Sequence, residues 1–249
     1  MNINTVTVVL MSIQEGRLMI LLEKQPDGYS LPEKQADIDE DLDAAALKLL
    51  GSHCPDNIYF RQLYTLGKAD RVQGNRVITT AYISLCASPN VSEDDSVCWF
   101  PITKTVLSQS ADQRISRVTL RNREQKALIS YEVTDISQGC YIRKQSRLLE
   151  GSTSRIAGDH LKLINMAMDE LQLHVISSGL IFSLLPKEFT LKQVQNVYEI
   201  ISGEKKDTAN FRRDILKMVT PTGNKIKTYN KEALLYSFNP LIQYLKGDL

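Results

Sequence analysis

The feature that most constrains the fold is a pair of clearly delimited helices within residues 185–219 (LPKEFTLKQVQNVYEIISGEKKDTANFRRDILKMV). Thr190, followed three residues later by Gln193, predicts a capping box at the start of the first helix. Gly203 predicts the end of that helix, and Asp207 predicts the start of a second one. Two short helices joined by so brief a turn predict a helix-turn-helix.

The second helix is predicted to have two chemically different faces. Its apolar side, at about 100° per residue, comprises Phe211, Ile215, Met218 and Val219. Its opposite side carries basic and amide groups, namely Lys206, Asn210, Arg213 and Lys217. A basic stripe alone is more often a solvated helix surface than a binding face, so the neighbouring sequence has to decide.

A hairpin, or wing, is predicted after this helix, in TPTGNKIKTYNKEALLYSF. We expect a turn at Pro221–Asn224 and strands at residues 225–229 and 233–238. Lys225 and Lys227 alternate around Ile226, as residues that contact phosphates do.

Taken together, residues 184–213 resemble the DNA-binding end of the Nudix-related transcriptional regulators of NAD metabolism. The family pattern, LLP-x-x-FTL-x-x-x-Q-x-VYE-x-x-x-G leading into NFRR, is matched at Leu184, Leu185, Pro186, Phe189, Thr190, Leu191, Gln195, Val197, Tyr198, Glu199, Gly203, Asn210, Phe211, Arg212 and Arg213. The resemblance implies a winged helix-turn-helix that binds double-stranded operator DNA as a homodimer. The wing departs from the family, because Lys231-Glu232-Ala233 replaces its Gly-Arg-Pro-Ala turn.

Within that module we predict base contacts for Asn210 and Arg213, and phosphate contacts for the lysines and Arg212. The full predicted DNA-binding set is Lys192, Lys206, Thr208, Asn210, Arg212, Arg213, Lys217, Lys225 and Lys227.

The first half of the chain predicts a mixed sheet with a helix. A hairpin is predicted at Thr5–Ile13 and Leu18–Glu23, and further strands at Ile58–Leu66, Arg76–Cys86 and Val97–Phe100. The acidic run Asp39–Asp43 suits a helix N-terminus, with Leu42, Ala45, Ala46, Leu49 and Leu50 as the buried face. Trp99 is expected in the core. This layout resembles the Nudix fold, an α/β/α sandwich, so the predicted class for the whole chain is α+β.

The Nudix hydrolase signature, Gly-x5-Glu-x7-Arg-Glu-x2-Glu-Glu-x-Gly, is degenerate here. Aligned on LPEKQADIDEDLDAAA, the chain keeps Glu40 but has Lys34, Lys48, Leu49, Ser52, His53 and Pro55 at the other signature positions. Magnesium needs hard oxygen ligands, and without the ion the pyrophosphate charge is not neutralised. We therefore predict no metal site, no catalytic residues and no cofactor. A Nudix pyrophosphohydrolase that acts on ADP-ribose-like nucleotides is the alternative.

In the family, the Nudix-like domain senses an effector, typically ADP-ribose or a related nucleotide sugar, and in some relatives a sugar. The residues proposed to contact such an effector are Lys34, Glu40, Lys48, Arg71 and Arg76. For each of them a solvated surface position is the competing interpretation.

A connecting helix is predicted after Gly158-Asp159-His160, the counterpart of the family's Phe-Asp-His. Asp159 is expected to cap the helix, and its buried face comprises Leu161, Ile164, Ala167, Met168 and Leu171. Residues 111–155 are longer than the family's usual link and predict a β-rich insert of unassigned role. The predicted domains are thus residues 1–157, the sensor with its insert, and residues 158–249, the linker helix and winged helix.

Bulk composition agrees with a cytoplasmic regulator. Residues 1–104 carry 9 Lys/Arg and 14 Asp/Glu, whereas residues 186–249 carry 11 and 7, so positive charge is concentrated at the DNA end. The four scattered cysteines are expected to be reduced thiols, and no apolar run suggests a membrane span. A third hypothesis is an adaptor protein in which both modules have lost their ancestral roles.

Overall fold

A computed structural model describes residues 2–51, 53–54, 58–90, 96–175, 179–228 and 231–240. The strands of the first 150 residues are β1 (Asn2–Gln14), β2 (Arg17–Gln25), β3 (Gly28–Ser30), β4 (Glu33–Gln35), β5 (Ile58–Leu66), β6 (Arg76–Cys86), β7 (Val97–Gln109), β8 (Gln113–Asn122), β9 (Ala127–Gln138) and β10 (Tyr141–Leu148). They form one mixed sheet in the order β10-β9-β8-β7-β2-β1-β6-β5, with β3 beside β2 and β4 beside β1. Strands β1 and β6 pair in parallel, and the other pairs are antiparallel.

The predicted α/β/α sandwich is confirmed, because helices cover both faces of this sheet. Helix α1 (Leu42–Leu50) packs through Ala45, Ala46 and Leu50 on one face, with Trp99 partly buried beside it. Helix α2 (His160–His174) packs on the other face through the five residues predicted to be buried. The prediction for α1 is wrong at Leu42, which is the first residue of the helix and is exposed.

The β-rich character predicted for residues 111–155 is confirmed by strands β8, β9 and β10. They extend the sheet without a break, because β7 continues past the predicted end at Phe100 to Gln109 and pairs with β8. Alternate residues of β9 are buried, as expected for a strand with one face on a core.

The C-terminal region is a winged helix. A 3₁₀ turn (Leu180–Leu184) precedes helix α3 (Leu191–Ser202) and helix α4 (Thr208–Ile215), which are followed by β11 (Val219–Thr228) and β12 (Lys231–Phe238). The predicted signals are confirmed: Thr190 and Gln193 form a reciprocal capping box, Gly203 ends α3 at φ 73°, and Asp207 caps α4.

The predicted turn at Pro221–Asn224 is wrong. The register of β11 against β12 shifts between Pro221 and Lys225, so these residues form a bulge inside the strand, with Gly223 at φ 84°. The chain instead reverses after Thr228, which pairs with Lys231. A bulge needs the same backbone freedom as a turn, which is why the sequence signals coincide.

One apolar cluster runs from the sheet through α2 into the winged helix, where it includes Val194, Phe211 and Ile215. The linker helix is therefore packed against both of the predicted domains. Among the described residues, none of the helices has the combination of length and hydropathy that a membrane crossing requires.

The expectation of four reduced thiols is wrong for two cysteines. Cys54, just after α1, and Cys86, at the end of β6, form a disulfide with their Cα atoms 6.1 Å apart. Residues 32 positions apart in sequence meet here because α1 packs directly on the sheet that contains β6. Cys98, which is buried, and Cys140, which is exposed, do not take part in this disulfide.

Candidate DNA interface and effector cavity

Helix α4 exposes the side chains that the sequence assigns to DNA. Phe211 and Ile215 are fully buried, whereas Thr208, Asn210, Arg212 and Arg213 are exposed on the opposite side. The Arg213 side chain is 70% exposed, with its Nε 3.9 Å from Asp214. A short helix with a buried apolar edge and an outward row of amide and guanidinium groups has the chemistry that reads base edges.

The buried side-chain amide of Gln195, on α3, contacts the start of α4 on the side away from its exposed row of side chains. The Nε2 amide of Gln195, which is only 4% exposed, lies within hydrogen-bond distance of the Glu199 carboxylate (2.9 Å), the Lys206 carbonyl (3.0 Å) and the Thr208 hydroxyl (3.3 Å), and its two hydrogens are shared among these acceptors. These contacts join the middle of α3 to the turn and to the first residue of α4. The role of Gln195, which the sequence comparison only matched to a pattern, is therefore to set the angle between the two helices.

The remaining predicted DNA residues surround α4. Lys192 is exposed on α3, and Lys217 lies in the turn after α4 rather than on the helix itself. Lys206 is half-buried, with its ammonium 5.2 Å from the centre of the Tyr198 ring.

On the wing, Lys225 and Lys227 are both exposed. Lys225 pairs with Glu232 at 2.9 Å, so that part of its charge is already compensated. Paired backbone hydrogen bonds between Phe189 and Tyr236 tie the wing to the segment before α3.

Glu40, the one carboxylate of the Nudix signature that this chain keeps, lies just before α1 and is already paired with two cations. Lys34 pairs with one oxygen of Glu40 at 2.9 Å, and Lys48 pairs with the other. Hydrogen bonds from Lys48 and then Lys34 hold the pKa of Glu40 at about 2. Two ammonium groups against a single carboxylate do not suit a divalent cation, so this donor set does not fit magnesium.

A cavity of about 730 Å³ lies beside that site, and we name it the link cavity because residues 155–160, which lead into α2, form one of its walls. Its other walls come from the β2–β3 turn and from β4. The polar side chains that line it include Glu23, Gln25, Glu33, Lys34, Arg155 and His160. Its volume lies within the usual range for small-molecule sites.

The centre of the link cavity wall is a histidine–carboxylate pair. His160 Nδ1 accepts a hydrogen bond from the Leu31 amide (3.0 Å), so its Nε2, 3.3 Å from Glu33, carries the proton. Burial opposes ionisation of Glu33, yet hydrogen bonds from His160 and Thr7 outweigh it and lower its pKa. Burial raises the pKa of the neighbouring Glu23.

The prediction that the Asp159 side chain caps α2 is wrong, because its carboxylate instead pairs with Arg71 at 2.9 Å. Arg71 also donates to Thr79 Oγ1 at 2.8 Å. Arg71 thus serves to anchor the start of α2 on the sheet.

Of the five residues predicted to contact an effector, only Lys34 lines the link cavity. Glu40 and Lys48 lie at the adjoining helix, Arg71 lies behind the wall, and Arg76 is exposed at the start of β6. The sequence did not identify Arg155, Glu33 and His160 as candidate ligand contacts, although all three line the link cavity. His160 belongs to the motif that aligns with the family's Phe-Asp-His, which is the one signal that pointed to this wall.

The winged-helix geometry agrees with a match to a family model. Residues 181–238 match the model of the NrtR DNA-binding winged helix domain. The predicted resemblance to the Nudix-related transcriptional regulators is confirmed.

Relatives of NrtR type match over nearly the whole chain. The chain is 25% identical over 244 residues to the "ADPR responsive transcriptional repressor NtrR" of Acinetobacter baylyi, covering 94% of this chain and 81% of that protein. The crystal structure of Shewanella oneidensis NrtR complexed with a 27mer DNA is 21% identical with a TM-score of 0.67, covering 96% of this chain and 95% of that one.

A MutT/nudix family protein from Enterococcus faecalis has the same fold, with a TM-score of 0.70, 18% identity and coverage of 96% and 88%. The predicted fold, a Nudix-like mixed sheet followed by a winged helix, is thereby confirmed.

Proposed function

We propose that this chain is an ADP-ribose-responsive transcriptional repressor in which the Nudix-like domain binds the effector and the winged helix binds operator DNA. The observation that carries the proposal is the exposed row of Asn210, Arg212 and Arg213 on α4 in a domain that matches the NrtR winged helix. The relative from Acinetobacter baylyi, described as ADPR responsive, supports the choice of effector.

The link cavity is the proposed effector site. Lys34 and Arg155 supply cations for a pyrophosphate, and the carboxylates and amide of Glu23, Gln25 and Glu33 supply acceptors and a donor for ribose hydroxyls. A ligand here touches both the sensor sheet and the residues that start α2.

The signal is proposed to travel through α2. Its far end contacts the DNA-binding domain, since Gln172 donates to the carbonyl of Ile201 in α3 at 3.2 Å. A ligand that shifts the start of α2 therefore changes the support of α3, and with it the position of α4, in a dimer bound to two half-sites.

We propose that the sensor domain does not hydrolyse its ligand. Glu40 has both oxygens committed to lysines, and Leu49 and His53 stand at two further signature positions. Ser52 and Pro55, two other altered positions, lie outside the described residues.

The DNA contact is tested with fluorescence anisotropy on a duplex selected from a random pool by the wild-type protein. Arg213→Ala is expected to weaken specific binding by about 1–3 kcal/mol without lowering the melting temperature. Arg17→Ala, at the exposed β1–β2 turn, is the matched control and should have no effect. Equal affinities for wild type and Arg213→Ala would refute the role of α4.

The effector site is tested by calorimetric titration of ADP-ribose. Arg155→Gln is expected to weaken ADP-ribose binding at least tenfold, since one of two cavity cations is lost, whereas Arg17→Gln should bind normally. Magnesium-dependent turnover of ADP-ribose that disappears in Glu40→Gln would instead establish the hydrolase.

A further inference from the structure

A second cavity, of about 380 Å³, lies where the two outer strands of the sheet approach each other across α2. We name it the seam cavity. Tyr64 comes from β5, and Lys144, Gln145 and Ser146 come from β10. Lys162 and Asn165 of α2 form its floor. None of its lining residues belongs to the link cavity.

The charge around the seam cavity is unbalanced. Its charged lining residues are both cations, Lys144 and Lys162. Behind Lys144 lies a network in which three cations share two carboxylates. Its members are Lys104, Arg114, Lys144, Asp135 and Asp169.

One positive charge in this network therefore has no matching carboxylate. The side chain of Lys104 is only 2% exposed, and burial lowers its pKa despite the contact with Asp169. A buried excess of positive charge is costly. An anion that enters beside Lys144 reduces that cost.

The other lining residues indicate which chemical groups the anion has besides its charge. Gln145, Ser146 and Asn165 offer amide and hydroxyl groups, which hydrogen-bond well to a polyhydroxylated body. The Lys162 ammonium covers one face of the Tyr64 ring, 4.4 Å from its centroid, so the rest of this partly exposed ring is the apolar surface that suits the C–H groups of a sugar. The volume suits a monosaccharide derivative and is small for a dinucleotide.

We propose that the seam cavity is a separate ligand site for a phosphorylated sugar of pentose or hexose size. Two lysines suit a phosphate dianion, and the remaining polar groups suit the hydroxyls. This role gives the β8–β10 segment a function that the winged helix and the link cavity do not explain.

Such a ligand would bridge β10 to α2, the helix whose other end contacts α3. The site is thus positioned to add a second metabolic input to the same linker helix. The assignment does not depend on ADP-ribose binding in the link cavity, because the two cavities share no residue.

The test is calorimetric titration of the full chain with ribose 5-phosphate, ribose and inorganic phosphate. We expect saturable binding of ribose 5-phosphate at least tenfold tighter than that of either fragment. Lys162→Gln, an exposed position where folding is not at risk, should weaken it at least tenfold. Arg147→Gln, on the same strand but paired with Glu132, is the matched control and should bind as wild type.

Arg155→Gln separates this site from the link cavity. Retained ribose 5-phosphate binding in Arg155→Gln together with loss in Lys162→Gln supports the seam cavity. Loss in Arg155→Gln would place the sugar phosphate in the link cavity and overturn the proposal. So would unchanged affinity in Lys162→Gln, or the absence of saturable binding in wild type.

Discussion

In the ion network beside α2, three cations share two carboxylates. Removing a carboxylate should therefore lower the free energy of unfolding more than removing a cation does. Asp169 accepts hydrogen bonds from Lys104, Lys144 and Arg114. Asp169→Asn leaves three cations facing only Asp135. Removing one partner from a buried pair typically costs about 3–5 kcal/mol. Because Asp169 is partly exposed, we expect the lower end, about 3 kcal/mol.

Lys104→Met should behave differently. It leaves two cations, Arg114 and Lys144, with two carboxylates, so the network becomes balanced. The change also removes a desolvated ammonium and keeps a side chain of similar volume. What is lost is the hydrogen bond to Asn165 at 2.6 Å and the one to Asp169, whose carboxylate keeps Lys144 and Arg114 as partners. We expect a cost of about 1 kcal/mol or less.

Urea unfolding and thermal melts of both variants measure this difference. For a chain of this size about 1 kcal/mol corresponds to roughly 2–4 °C, so Asp169→Asn should melt about 6–12 °C lower and Lys104→Met within about 4 °C of wild type. Arg147→Gln, which breaks an exposed pair with Glu132, controls for ordinary surface charge. Equal destabilisation by Asp169→Asn and Lys104→Met would refute the charge-balance reasoning.

Three further predictions concern the sensor domain. Replacing Cys54 and Cys86 together by serine should lower the free energy of unfolding by about 3–4 kcal/mol, the value expected for a loop of this length, and a reductant should then have no further effect in urea titrations. Because the pKa of Glu40 is lowered to about 2, its ion pairs contribute fully above the unfolded pKa near 4.3 and are lost as pH falls toward 2; Glu40→Gln should lack that part of the acid transition followed by circular dichroism. Gly28→Ala should melt well below Gly16→Ala, because φ is positive at both glycines but only at Gly28 would a Cβ meet the carbonyl of Arg155; equal melting temperatures would show that this contact relaxes freely.

The helices of the DNA-binding domain could be predicted because their signals are local. The capping box at Thr190, the stop at Gly203 and the cap at Asp207 each involve residues within four positions of one another. The apolar face of α2 follows from helical periodicity for the same reason. For α4 the periodicity is right at Phe211 and Ile215 and wrong at Met218 and Val219, because the helix ends at Ile215 and Val219 begins β11. In contrast, the wing turn was misplaced because Gly223 satisfies a bulge as well as a turn.

The cavities could not be predicted, because their walls come from distant parts of the sequence. Leu31 and His160 are 129 positions apart yet share a hydrogen bond. The Nudix alignment placed Lys34, Glu40 and Lys48 at signature positions, but it gave no indication that both lysines pair with Glu40. Likewise, nothing in the local sequence distinguishes Cys54 and Cys86 from Cys98 and Cys140.

In the proposed mechanism, the link between the sensor and α2 connects the cavity to the distant helix α4. The Tyr29 amide donates to the carbonyl of Arg155 (3.0 Å), and the Ala157 amide donates to the carbonyl of Tyr29 (2.8 Å), so that residues 155–157 lie on the sensor as an added strand. Two residues later, Asp159 and His160 are held by Arg71 and Glu33 at the start of α2. A ligand shifts an equilibrium only by its different affinity for the two states. Contacts with the fixed sheet alone cannot provide that difference, so the proposed mechanism requires the effector to act through the link side of the cavity, where Arg155 and His160 lie.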